Sequence, residues 1–190
     1  ALLEEASHRL YRDRFVTHVD PTWPLRPLGE VAEFTMGQSP ESRFYNTERK
    51  GLPFHQGVGT FGVLFPKEEV YSSEYSRTAQ PGDILFSVRA PVGRMNIADK
   101  NCALGRGLSA IRSRSGHQTW LFLALKNLFI KENMIGNGAI FASVTKDDLS
   151  NVEILAPPST VVADSNNILS PYFEAIGVLA QENALLREGR

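Results

Sequence analysis

Residues 82–112, GDILFSVRAPVGRMNIADKNCALGRGLSAIR, decide how the chain is built. Ile84, Phe86 and Val88 alternate with Leu85, Ser87 and Arg89, the period-two pattern of a strand. Pro91 and Gly93 interrupt the run, and Met95 to Ala98 and Leu108 to Ile111 resume it. The spacing predicts adjacent strands joined by turns. From Arg89 onward the stretch carries Arg89, Arg94, Lys100, Arg106 and Arg112 against a single acid, Asp99. Pairing of the strands would gather these cations at strand ends and turns, where a guanidinium grips phosphate as a fork or reads O6 and N7 of guanine. The plainer alternative is a solvated sheet face, because basic patches are common and only some are functional.

The rest of the composition is that of an ordinary globular chain. Its 190 residues, 42% of them hydrophobic, suffice for one domain with a proper core plus an appendage. A net charge of −1 argues against indiscriminate nucleic-acid binding, yet leaves room for a local basic face. Cys102 is the single cysteine, so no internal disulfide or cysteine-based zinc cluster is expected. Its simplest role is that of a small buried apolar residue in a reducing compartment. No leader-like or membrane-spanning run is expected, since the apolar stretch Trp120 to Ile130 is short and contains Lys126.

Moving outward, three segments separate. Leu2, Leu3, Ala6, Leu10 and Tyr11 fall at helical spacing among charged residues, so residues 1–18 read as an amphipathic helix that resembles the tail of something longer. Asp20-Pro21-Thr22-Trp23-Pro24 breaks it. Thr119 to Met134 forms the one long internal helix, with Leu121, Leu125, Leu128 and Phe129 as a core stripe and Gly136 and Gly138 as stops. Residues 37–62 are rich in turn formers and predict mainly loop. After Pro157-Pro158 a polar linker is expected to lead to Ser170 as N-cap and Pro171 as the first residue of a new helix. Along that helix Tyr172, Ile176, Leu179, Asn183 and Leu186 follow heptad-like spacing. An amphipathic helix lying on its own domain fits the same pattern.

Enzyme-like patterns lack their context. Gly57-Val58-Gly59-Thr60-Phe61-Gly62 matches a dinucleotide fingerprint, but the following Val63-Leu64-Phe65-Pro66 is β-like and cannot supply the helix that such a site requires. Glu48-Arg49-Lys50 imitates half of a metal-dependent nuclease site without a well-placed second acid. His8, His18, His55 and His117 are scattered, so no metal site is expected. Neither a catalytic triad nor an adenine-methyltransferase motif is assignable.

The run GDILFSVRAPVGRMNIA…CALGRGLSAI resembles the target recognition domain of the specificity subunit of type I restriction–modification enzymes. Leu28-Gly29-Glu30-Val31, Met36-Gly37-Gln38-Ser39-Pro40, Gly51-Leu52-Pro53-Phe54, Gln56-Gly57, Gly138-Ala139-Ile140-Phe141, Lys146-Asp147-Asp148-Leu149 and Val152-Glu153-Ile154 fit in the same order. The likeness runs from Trp23 to Pro158 and implies an α+β fold. Residues 1–20 would end one spacer helix, 21–158 would form the β-rich DNA target recognition domain with its long packed helix, and 159–190 would be a linker and the start of a second spacer helix of coiled-coil type.

The resemblance implies a non-catalytic, cytoplasmic subunit that reads one half of a bipartite double-stranded DNA target. Modification subunits would bring S-adenosylmethionine and methyl transfer, restriction subunits would join the complex, and no cofactor is expected in this chain. The helices, through Tyr172, Ile176, Leu179, Asn183 and Leu186, would pair with other spacer helices, or with a second copy if the chain is a dimerising half-subunit. Gln38, Ser39, Asn46 and Gln56 are the hydrogen-bonding candidates for base edges, Arg43, Lys50, Arg89, Arg94 and Arg106 the cations, and Tyr45 and His55, with Phe54, the rings for sugars or thymine methyls. Two other classes fit the residues: the specificity end of a fused restriction–methylation enzyme, and a protein-interaction scaffold indifferent to DNA.

Overall fold

A computed structural model describes residues 2–131 and 143–188. In chain order the strands are β1 (Leu25–Pro27), β2 (Ala32–Met36), β3 (Tyr45–Asn46), β4 (Leu52–His55), β5 (Tyr71–Ser72) and β6 (Thr78–Ala79), followed by β7 (Ile84–Ser87), β8 (Met95–Ile97), β9 (Cys102–Leu104), β10 (Leu108–Ser113) and β11 (Glu153–Leu155). The helices are α1 (Leu2–Arg12), the single turn α2 (Leu28–Val31), α3 (Gln118–Lys131), α4 (Lys146–Asn151) and α5 (Ser159–Glu188). No described helix is long and apolar enough to cross a membrane.

Within residues 82–112, β7, β8 and β10 join β2 in an antiparallel sheet in the order β2-β10-β7-β8, with Ile84 opposite Ile97, Leu108 opposite Ser87 and Ala110 opposite Thr35. Strand β9, between β8 and β10 in sequence, joins a second sheet instead, in the order β3-β5-β4-β9-β6, where it lies parallel to β4. Every residue of β7 is buried, so this strand itself presents no solvated face. Ile84 and Phe86 face the helices, while Leu85 joins Ala79, Leu104, Leu108 and Ala110 in a smaller core between the sheets. Arg89, Arg94 and Arg106 lie outside the strands, at turns and strand ends. Cys102 sits in the smaller core, where burial pushes its thiol up to about 12 and leaves it inert.

Helix α3 is buried more completely than one stripe allows, since Trp120 through Leu125 are all buried. A helix apolar all round must be covered all round. The sheet covers one side; α1 and α5 cover the other. Glu4 of α1 pairs with Lys126 of α3, and Phe15, just beyond α1, meets Trp120 at 6.1 Å, so α1 runs opposite to α3. Asn166 accepts from Trp120 N at 3.2 Å and Phe173 packs on Phe122 at 5.4 Å, so α5 runs alongside α3. Each fully buried Leu or Phe in this layer contributes about 1.5–3 kcal/mol. Gln118 holds the start of α3 by accepting from Ser113 N and donating to Ile111 O, both at 2.8 Å. The expected stop at Gly136 and Gly138 and the segment Gly138–Phe141 lie outside the described residues.

Helix α1 gives way to a π-helical turn, Asp13–Thr17, which brings Phe15 into the core beside Tyr11 and Trp23. Its buried face is therefore Ser7, Tyr11 and Phe15, whereas Leu2 and Leu10 are exposed. The break at Asp20 is a local turn, in which the Asp20 carboxylate accepts from both Thr22 N and its hydroxyl. Thr145 and Asp148 form a capping box at the start of α4. Strand β1 pairs with β11, which ties the two ends of the domain together.

The polar linker and the helix start at Ser170-Pro171 are not found. Helix α5 starts at Ser159, directly after Pro157-Pro158, and carries Pro171 in its interior. Proline removes one amide donor, and the buried Leu169 and Phe173 on either side hold the helix to α3 across that gap. The proposed pairing seam divides accordingly. Tyr172 and Ile176 pack against the chain's own core, while Leu179 is 49% exposed and Leu186 68%. Asn183 is exposed and donates to the Leu179 carbonyl at 2.8 Å.

Candidate nucleic-acid interface

Three loops from distant parts of the sequence interlock at one end of the two sheets. They are Gly37–Pro40 after β2, Gln56-Gly57 after β4, and the β9–β10 turn Gly105-Arg106-Gly107. Gly37 N donates to Leu108 O and Gln38 N to Leu104 O, both at 2.9 Å. Gly105 N donates to His55 O at 2.8 Å and Gly107 N to Gln56 O at 3.1 Å. Backbones approach so closely that a Cβ on Gly37 would stand 2.1 Å from Gly105 O, and one on Gly105 2.6 Å from Gln56 Cα. Glycine is required there by space.

Side chains complete the lock. Ser39 Oγ accepts from Arg106 N at 3.1 Å and donates to Gln56 Oε1 at 3.2 Å, while Arg106 Nε also approaches Ser39 Oγ, at 3.5 Å. Gln38, Gln56 and Arg106 are thereby presented at the surface on a backbone platform already hydrogen-bonded throughout. Amides and a guanidinium held this way are the groups that read base edges and phosphates. Arg89 follows β7, is exposed, and lies next to this platform because Val88 N donates to Gly107 O at 2.9 Å.

The other sequence candidates occupy different positions. His55 is a correction: it is 1% exposed, with Nδ1 2.9 Å from Thr60 Oγ1, and burial lowers its pKa to about 4. Its ring is part of the core and has no face to offer a nucleic acid. Tyr45 is half-buried, its ring tilted against Phe54 at 4.7 Å, and its hydroxyl donates to Pro40 O at 2.9 Å, so it props up the Gly37–Pro40 loop. Asn46 uses its amide to shape its own turn, accepting from Glu48 N and Lys50 N and donating to Lys50 O. Arg43 and Lys50 are exposed and pair with Glu41 and Glu48, contacts weak enough in water to exchange for phosphate. Arg94 stands apart, in a groove walled by Phe61, Phe122 and Lys126.

The glycine fingerprint at 57–62 forms a single 3-10 turn, Val58–Thr60, followed by a bridge between Phe61 and Pro66. No helix starts there. Sequence reasoning missed the segment Ser76–Thr78, whose Ser76 Oγ lies 3.4 Å from Gln38 Oε1 and which places Arg77 beside the platform. Its signal was an unpaired arginine among hydroxyl residues just before a short strand.

The model of the type I restriction modification DNA specificity domain matches residues 21–188. The chain belongs to this family. A Methanocaldococcus jannaschii protein described as a type I restriction enzyme MjaX specificity subunit is 36% identical over 155 residues, covering 80% of this chain and 36% of that protein. The HsdS subunit of Thermoanaerobacter tengcongensis superposes with a TM-score of 0.70 at 35% identity, over 95% of this chain and 45% of that one. A chain solved in work on complex assembly and conformational transition of the type I R-M system gives 0.73 at 35% identity, over 99% of this chain and 50% of that one. The specificity domain described here thus spans half or less of the length of these relatives. The type I S subunit from M. genitalium, at 17% identity and a TM-score of 0.70, shares the fold.

Proposed function

We propose that this specificity domain reads one half of a bipartite double-stranded DNA target within a cytoplasmic type I restriction–modification complex. The observation that carries this reading is the interlocked platform from which Gln38, Gln56 and Arg106 project. A reader of base edges must hold its donors and acceptors in fixed register, and hydrogen-bonded loop backbones do so at no further ordering cost on binding. Arg89 lies next to it as a phosphate contact, and Arg43 and Lys50, exposed elsewhere on the surface, are further phosphate contacts.

In this reading the chain is non-catalytic and needs no cofactor. Modification subunits supply S-adenosylmethionine and methyl transfer, restriction subunits supply cleavage, and both dock on assemblies organised by the spacer helices. Helices α1 and α5 form the antiparallel pair from which Leu179 and Leu186 stand exposed for such contacts. The full subunit carries a second recognition domain, or two half-subunits pair through these helices.

The test is discrimination by the assembled enzyme between target and scrambled duplexes, the target being identified by mapping methylated bases in host DNA. Gln38→Ala, Gln56→Ala and Arg106→Ala should each lose about 1–3 kcal/mol of preference at one base pair. Unaltered preference in all three would overturn the assignment. Methyl transfer or cleavage by the purified chain alone, abolished by changing one of its residues, would overturn the non-catalytic role.

A further inference from the structure

Beside the platform runs an open polar groove of about 310 Å³ that the base-reading residues do not use. One wall is the β2–β10 sheet, with Thr35 and Arg112; the other is Ser76 and Arg77, just before β6, and Thr78 within it. Two carboxylates line the groove, and both are committed. Arg112 Nε lies 2.7 Å from Asp83 Oδ1, an ion pair held by charge rather than by an aligned N–H. Glu33 is paired with Arg114 at 2.6 Å. Arg77 is exposed and makes no ion pair with another described residue.

The position of Arg77 is set by the platform itself. Leu104 N donates to Arg77 O and Leu104 O accepts from Gln38 N, both at 2.9 Å, so Arg77 and Gln38 flank the residue that leads into Gly105-Arg106. Ser76 links the two sides through its contact with Gln38. One unpaired guanidinium with a nearby hydroxyl matches a singly charged phosphodiester, whose two free oxygens accept a fork.

Resting on the DNA-recognition reading, we propose that this groove holds a backbone phosphodiester flanking the bases met by Gln38, Gln56 and Arg106, with Arg77 as its cation and Thr78 as a hydroxyl donor. It is a sequence-independent contact that sets the register of the platform on the duplex.

The assembled enzyme carrying Arg77→Ala or Arg77→Lys is titrated with target and scrambled duplexes between about 50 and 200 mM salt. Arg77→Ala should lower the slope of log affinity against log salt by about 0.9 on both duplexes, and Arg77→Lys should restore it. A single neutral methylphosphonate scanned along the target should, at one position, weaken the wild type and leave Arg77→Ala unaffected. An unchanged slope in Arg77→Ala, or a loss confined to the target duplex, overturns the groove. If discrimination still depends on Arg106 in that case, the recognition reading stands; a wild-type enzyme that binds both duplexes alike overturns both.

Discussion

Ser39 and Arg106, 67 residues apart in the chain, are joined by a hydrogen bond from the Arg106 amide to the Ser39 hydroxyl at 3.1 Å. The same hydroxyl donates to Gln56, so one oxygen ties together all three loops of the platform. Ser39→Ala removes that tie while leaving the exposed amides and guanidinium in place. Denaturant melts should show a loss of about 1 kcal/mol, the size of one ordinary hydrogen bond. Target discrimination should fall further than this stability change implies, because three loops lose their common register. Wild-type discrimination in Ser39→Ala would show that the backbone bonds alone hold the platform.

Burial of His55 makes stability depend on pH in a defined window. In the folded chain the imidazole has a pKa near 4, whereas the unfolded residue titrates near 6.5. Between these values the unfolded chain binds more protons, so His55 costs nothing above pH 6.5 and destabilises progressively as pH falls towards 4. The loss amounts to about 3 kcal/mol by the lower end. Asn at this position keeps a group able to bond Thr60 without titrating, so His55→Asn should flatten this part of the stability curve. Parallel wild-type and variant curves from pH 7 to 4 would remove His55 as the cause.

The two halves of α5 should respond differently to substitution. Phe173 is buried against Phe122, and Phe173→Ala should cost about 3–5 kcal/mol in thermal or chemical melts. Leu179 is half exposed, so Leu179→Asp should leave the melt of this chain within about 0.5 kcal/mol of wild type. In the longer subunit proposed above the same change should weaken assembly, measured by sedimentation, since a charge would have to be desolvated where the proposed spacer helices pair. Collapse of the chain by Leu179→Asp would place that residue in the domain's own core instead.

Among the cations, Arg89→Ala should weaken binding of target and scrambled duplexes alike, as a phosphate contact does. Arg12→Ala, on α1, serves as the comparison and should leave affinity unchanged. Arg94 lies in the groove between Phe61 and α3, so Arg94→Ala should weaken DNA binding less than Arg89→Ala. Duplex titration at several salt concentrations separates these outcomes, and equal behaviour of Arg89→Ala and Arg12→Ala would detach Arg89 from the interface.

Local pattern by itself determined strands at Ile84, Met95 and Leu108, the break at Asp20-Pro24, a helix beginning near Thr119, and the placing of Arg89 and Arg106 at strand ends. Alternation, proline and glycine act over a few residues, so these features are written where they occur. The ordered motifs also carried the family. Tertiary structure alone decided that β7 and α3 are covered on both sides, that β9 leaves its neighbours to run parallel to β4, and that His55 points inward while Gln56 points out. It also decided that α5 continues through Pro171, where packing of Leu169 and Phe173 on α3 outweighs one lost hydrogen bond and a local signal to stop. The groove at Arg77 was illegible for the same reason: a surface site made by Leu104 bridging residues 38 and 77 exists only once sheets of different chain segments have met.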